Sequence, residues 1–150
     1  MSYRFQDCVS RRGVVKRPAS RAMVEKELAE AKRDLDSAKN SLLESDFKWT
    51  IIKAYYSMFH ACKSLLFSAG YVEKSHECLI AAIEELFTDP GQLPSAVVSD
   101  LRRAKTAREA ADYGLTYGES SANGTVDDAE RIFEIVSGYL AKQGFGTPSP

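Results

Sequence analysis

The sequence predicts an all-α fold, an antiparallel bundle of four to five helices, and three observations carry that prediction. The stretch Trp49–Tyr71 is apolar around most of its circumference, through Ile51, Ile52, Tyr55, Tyr56, Met58, Phe59, Cys62, Leu65, Leu66 and Phe67. Only Lys53, Ser57, His60 and Ser64 form a narrow polar stripe. A helix this apolar sits in the middle of a bundle, and its polar interruptions keep it from reading as a membrane span. Val24, Leu28, Ala31, Leu35, Ala38 and Leu42 recur in alternating steps of four and three, the seam of a long helix packed on a partner. No stretch alternates apolar and polar residues with period two.

The elements follow in chain order. Residues 1–18, ending at Lys16-Arg17-Pro18, have weak periodicity and read as a basic, flexible arm. Ser20 is placed to cap the first helix and Asp46 the second, and Gly70 ends the second. Ser75 caps a third helix with Leu79, Ile80, Ile83, Leu86 and Phe87 on its buried face, stopped by Asp89-Pro90-Gly91. Pro94 or Ser95 opens a fourth that runs to Tyr113-Gly114. A polar loop containing Gly118, Ser120, Ser121, Asn123 and Gly124 follows, and Thr125-Val126-Asp127-Asp128 reads as a capping box for the fifth helix. The bundle thus spans 19–143, with a frayed tail over 144–150.

The 150 residues suit one domain with a real core. The net charge of −1 hides an asymmetry. Arg4, Arg11, Arg12, Lys16, Arg17 and Arg21 face only Asp7 within residues 1–21, while the rest of the chain is acidic on balance. Such an arm is either solvated or a contact for nucleic acid or a neighbouring subunit. Cys8, Cys62 and Cys78 are odd in number and far apart, which predicts neither a zinc site nor a disulfide framework and fits a reducing, cytoplasmic setting. No long apolar run at the N-terminus suggests a signal peptide or membrane anchor.

Candidate chemistry gathers on the fourth helix. Arg108 and Asp112 are stacked i,i+4 neighbours on a flank that begins with Val97 and Leu101. Charges beside an apolar face need partners. Either the two satisfy each other and pin this helix to the central one, or Arg108 holds a phosphate with Asp112 orienting it. Lys74, Ser75 and the free amides before His76 offer a second anion site, or an ordinary N-cap with a surface imidazole. Tyr55, Tyr56 and Tyr113 read as core residues with satisfied hydroxyls. Glu73-Lys74-Ser75-His76 supplies one Glu-x-x-His motif where a di-iron bundle needs two, which argues against that class, and no metal or other cofactor is expected. There is no P-loop, Gly-x-Ser-x-Gly or dinucleotide fingerprint.

Ala54-Tyr55-Tyr56-Ser57-Met58-Phe59-His60-Ala61, Glu73-Lys74-Ser75-His76 and Ala107-Arg108-Glu109-Ala110-Ala111-Asp112-Tyr113, in this order and placement, resemble the HEPN superfamily, in particular its small stand-alone archaeal and bacterial members. The resemblance covers roughly residues 20–143. It implies a helical bundle that forms homodimers, binds RNA or nucleotides, and has a minimal nucleotidyltransferase as partner in toxin–antitoxin or defence modules. Many members are metal-independent ribonucleases whose motif is an Arg followed four to six residues later by His. Arg108 matches the Arg, but Asp112-Tyr113 stand where the His and a nearby Tyr are expected. Cleavage through a 2′-hydroxyl needs a group that exchanges protons near neutral pH, and an Asp beside an Arg is a poor one.

The leading expectation is therefore a HEPN protein that binds nucleotide, RNA or a nucleotidyltransferase through Arg108, Asp112 and Tyr113, with Lys74, Ser75 and His76 as second candidates. One alternative is a ribonuclease with a diverged site using Arg108 and His76. Another is a helical interaction module that binds through its basic arm.

Overall fold

The computed structural model describes residues 2–114 and 117–145. Six α-helices appear among the described residues: α1 (Tyr3–Ser10), α2 (Arg21–Leu43), α3 (Phe47–Ser68), α4 (His76–Ile83), α5 (Ala96–Asp112) and α6 (Glu119–Lys142). A π-helical turn, Glu84–Thr88, continues α4. The expected caps are in place: Ser20 accepts from the Met23 N–H, Asp46 from Trp49 and Ser75 from Cys78. Gly70 has φ +85°, the left-handed conformation that lets the chain turn out of α3.

α3 is the hub, packed against α2, α5 and α6. Ile51, Ala54, Tyr55, Met58, Cys62, Leu65 and Leu66 are buried on it, and the α2 seam from Val24 to Ala38 closes one side. The polar stripe faces α2 rather than solvent. Ser57 Oγ donates to the Ala31 carbonyl at 2.8 Å, Lys53 Nζ donates to Ser41 Oγ at 2.8 Å, and His60 Nδ1 lies 2.6 Å from Glu27 Oε2. Buried polar groups survive there because each has a partner. α5 and α6 are joined by a quartet in which Arg103 and Arg131 each bridge Asp100 and Asp128, two buried carboxylates.

Four features depart from the sequence reading. The arm is structured: α1 packs on α4, with Phe5 edge-on to Tyr71 at 6.0 Å between ring centroids. Two strands exist where none was expected. β1 (Val14–Lys16) and β2 (Tyr71–Glu73) pair antiparallel with Val14 opposite Glu73, Val15 opposite Val72 and Lys16 opposite Tyr71. Three residues are too few to display a period.

Cys8 and Cys78 form a disulfide across a separation of 70 residues, correcting the expectation of none. Packing of α1 on α4 brings them together, and no spacing rule reveals that. A Cβ on Gly13 would lie 2.6 Å from Cys78 Sγ, so only glycine lets the turn between α1 and β1 pass over the bridge. With this bridge, cysteine usage no longer argues for a reducing compartment. Cys62 is buried, and burial pushes its thiol up to about 12.

α6 begins at Glu119, not at Thr125. Ala122 is buried against Ile51 and Ala111, and Thr125 Oγ1 donates to the Ser121 carbonyl, so packing carries the helix through a stretch whose composition reads as loop. Of the expected tail, residues 146–150 lie outside the described residues. No helix among the described residues is long and apolar enough to cross a membrane.

Candidate functional site

The site grows from α3. Tyr55, Tyr56 and Phe59 lie within one turn and project toward the start of α4 and the second half of α5. Ser75 caps α4, which makes His76 its first residue, and the imidazole packs against Phe59 at 4.5 Å between centroids with the rings inclined at 38°. Tyr55 is 1% exposed, and its Oη lies 2.6 Å from His76 Nδ1.

From α5, the Arg108 guanidinium reaches over both tyrosines, with Cζ 5.3 Å from the Tyr55 ring and 5.9 Å from the Tyr56 ring. Arg108 Nη1 donates to Tyr56 Oη at 3.2 Å and pairs with Asp112 Oδ2 at 3.5 Å. Its Nε is buried with no hydrogen-bond partner. Lys105, one turn earlier, is held by Glu109 at 2.9 Å and Glu77 at 3.2 Å.

Protonation states follow from these neighbours. Burial, then the Arg108 and Lys105 charges, lower the His76 pKa from the ordinary imidazole value. Burial raises the Tyr55 pKa, so its hydroxyl keeps its proton. His60 is the opposite case: its hydrogen bond to Glu27, outweighing burial, raises its pKa. It serves the α2–α3 contact and is not among the groups around Arg108.

The two histidines give stability two pH windows. His60, raised, stabilises fully below the unfolded value of 6.5, and that contribution is lost as pH rises through its folded value. His76, lowered, costs stability as pH falls below 6.5. Thermal melts of wild type, His60→Asn and His76→Asn across the imidazole range are expected to show the His60 variant losing the alkaline decline and the His76 variant the acid one.

The structure gathers three of the sequence candidates, Arg108, Asp112 and His76. Ser75 is occupied as a cap, and Lys74 is exposed, with its backbone N–H bonded to the Gly13 carbonyl. Tyr113 is 78% exposed, which corrects its reading as a core residue. Sequence reasoning missed Tyr55 and Tyr56 as site residues and Lys105 as a neighbour of His76. The one available signal was the shared flank of Lys105, Arg108 and Asp112. Clefts of about 490 Å³ beside the arm and about 570 Å³ between Gln92 and Tyr139 do not include Arg108 or His76. Arg108 and His76 meet at a partly exposed edge of the bundle.

A profile of the HEPN domain matches residues 24–140, from the first turn of α2 to the last turns of α6. The chain belongs to the HEPN domain family. Its HEPN bundle is similar to a UPF0332 protein of Archaeoglobus fulgidus, 33% identical over 61% of this chain and 73% of that protein. A UPF0332 protein of Gloeobacter violaceus is 25% identical over 75% of this chain and 91% of its own length. A Methanocaldococcus jannaschii protein bearing the name "Putative toxin" is 25% identical over 62% of this chain, and the match spans 63% of that relative. The crystal structure of TT1696 from Thermus thermophilus has a TM-score of 0.67 at 21% identity, covering 78% of this chain and 98% of its own, which shows the shared fold. α1 and β1 precede the matched HEPN segment, so the disulfide ties an accessory arm to the family bundle.

Proposed function

We propose that this HEPN protein binds phosphate groups of a nucleotide or RNA at the Arg108–His76 edge, within a toxin–antitoxin or defence-type module. Its partners there are a second copy of itself and a minimal nucleotidyltransferase. The observation that carries the reading is the buried Arg108 Nε, a charged donor with no partner, beside an imidazole kept neutral by its surroundings. A guanidinium suits phosphate by geometry, and the unpaired Nε, closed to solvent here, gains a partner when a ligand displaces the side chains that cover it. The name of the archaeal relative agrees with the setting. Asp112, half-exposed and 3.5 Å away, is loosely enough held to yield to the ligand.

A second reading is favoured by the same juxtaposition. His76, supplied by α4, stands beside Arg108 although no His follows Arg108 in the chain. That makes a metal-independent ribonuclease with a rearranged pair the alternative. One experiment separates the readings: a labelled single-stranded RNA is incubated with the protein in EDTA, and both binding and cleavage are followed. Retention of intact RNA, weakened by Arg108→Ala, supports the binder. Cleavage abolished by both Arg108→Ala and His76→Ala establishes the nuclease. Binding indifferent to Arg108 but lost on removing residues 1–18 assigns it to the arm, and such binding falls steeply with salt.

A further inference from the structure

We propose that Tyr55 is a positioning residue that fixes His76 as the tautomer carrying its proton on Nε2, so that the imidazole presents a hydrogen-bond donor, not a base, to the edge beside Arg108. This deepens the phosphate-binding reading and rests on it for the ligand, though not for the tautomer.

The argument is a count of protons and partners. Tyr55 is buried, and its hydroxyl has one proton to give. The one hydrogen-bond partner described for that hydroxyl is His76 Nδ1, at 2.6 Å. If Nδ1–H donated to Oη, the phenolic hydrogen would be left buried without an acceptor, which costs about 1–3 kcal/mol. With Oη donating to Nδ1, both groups are satisfied, and a neutral His76 must carry its hydrogen on Nε2. Burial keeps the phenol protonated, which preserves this direction.

The groups facing His76 act in the same sense. Arg108 and Lys105 repel an imidazolium, while the Glu77 and Glu109 carboxylates that would favour it are engaged by, or shared with, Lys105. Packing against Phe59, with the rings inclined at 38°, limits rotation of the imidazole. The imidazole then offers an unengaged Nε2–H beside the Arg108 guanidinium, whose Nε is itself closed to solvent. Such a pair suits a ligand rich in acceptors, the non-bridging oxygens of a phosphodiester. A neutral imidazole with Nε2 protonated has no lone pair at that position with which to take a 2′-hydroxyl proton, so this tautomer favours recognition over strand cleavage.

The test uses the full oxidised chain with ¹⁵N-labelled histidine and a short single-stranded oligoribonucleotide. Long-range ¹H–¹⁵N spectra of neutral His76 are expected to show a protonated Nε2 and an Nδ1 resonance displaced by an accepted hydrogen bond. In Tyr55→Phe that Nδ1 displacement disappears. Affinity for the oligonucleotide is expected to fall about tenfold in Tyr55→Phe and in His76→Ala, but no further in the double variant, because Tyr55 acts through His76. His76→Gln, whose amide N–H takes the place of Nε2–H, is expected to retain most of the affinity.

A wild-type Nδ1–H tautomer, an Nδ1 signal unchanged in Tyr55→Phe, additive losses in the double variant, or a glutamine variant as weak as alanine each overturns the proposal. The wild-type spectrum stands whether or not Tyr55→Phe folds. A protein with the expected spectrum that binds no oligonucleotide keeps the tautomer and loses the phosphate-binding reading, so the two failures are distinguishable.

Discussion

Arg108→Ala is expected to weaken binding of a short single-stranded RNA by on the order of a hundredfold while lowering the melting temperature by roughly 5 °C. The binding loss follows from removing a charge-assisted, forked donor; such contacts are worth roughly 2–3 kcal/mol. The stability loss is small for separate reasons. The ion pair to Asp112 is partly exposed, and pairs of that kind contribute at most about 1 kcal/mol. The two cation–π contacts to Tyr55 and Tyr56 add about 0.5–1 kcal/mol each. Arg108→Lys should fall between wild type and alanine in affinity, because it keeps the charge and loses the fork. Fluorescence anisotropy and thermal melts on the same samples decide the matter. Unchanged affinity, or a stability loss that accounts for all of the binding loss, would show that the pair merely fastens α5 to α3.

Reduction of the Cys8–Cys78 bridge is expected to lower stability by up to about 4 kcal/mol, the chain-entropy value for a loop closed across 70 residues. For a chain of 150 residues this corresponds to roughly 10 °C in melting temperature. Cys8→Ser under oxidising conditions should reproduce the reduced protein. Titration of thiols in denaturant without reductant is expected to find Cys62 alone. Three reactive thiols, or melts that coincide with and without reductant, would refute the bridge. Because α1 packs mainly against α4 and β1, proteolysis after reduction should cut first near the α1–β1 turn and leave the segment matched by the HEPN profile intact.

The long helices were legible because their signals are local and repeated. The α2 seam needs only a period, and the Ser20, Asp46 and Ser75 caps need only a residue type next to one. What escaped depends on distance along the chain. Neither the ribbon nor the disulfide has a local signature, since each joins segments dozens of residues apart. The start of α6 is not legible locally because Gly118 to Gly124 look like a loop until Ile51 and Ala111 supply the apolar surface on which Ala122 packs. At the site, the Arg108–Asp112 stacking follows from helical spacing. The meeting of His76 with Tyr55, and of Tyr56 with Arg108, requires three helices to be placed relative to one another. The quartet in which Arg103 and Arg131 cover the buried carboxylates of Asp100 and Asp128 has no local signature for the same reason.

The row of polar contacts between α2 and α3 has a consequence for how the bundle chooses its alignment. The apolar side chains of α2 repeat so regularly that sliding one helix past the other by a heptad would still bring leucine and alanine against an apolar face. Dispersion and water exclusion oppose such an offset only through the overlap lost at the helix ends. Directional bonds add more: a slipped helix would leave the buried Ser57 hydroxyl and the half-buried Lys53 ammonium and His60 imidazole without their α2 partners. These three side chains work as a vernier, setting the axial position of α3, and with it the height at which Tyr55 and Tyr56 meet α4 and α5.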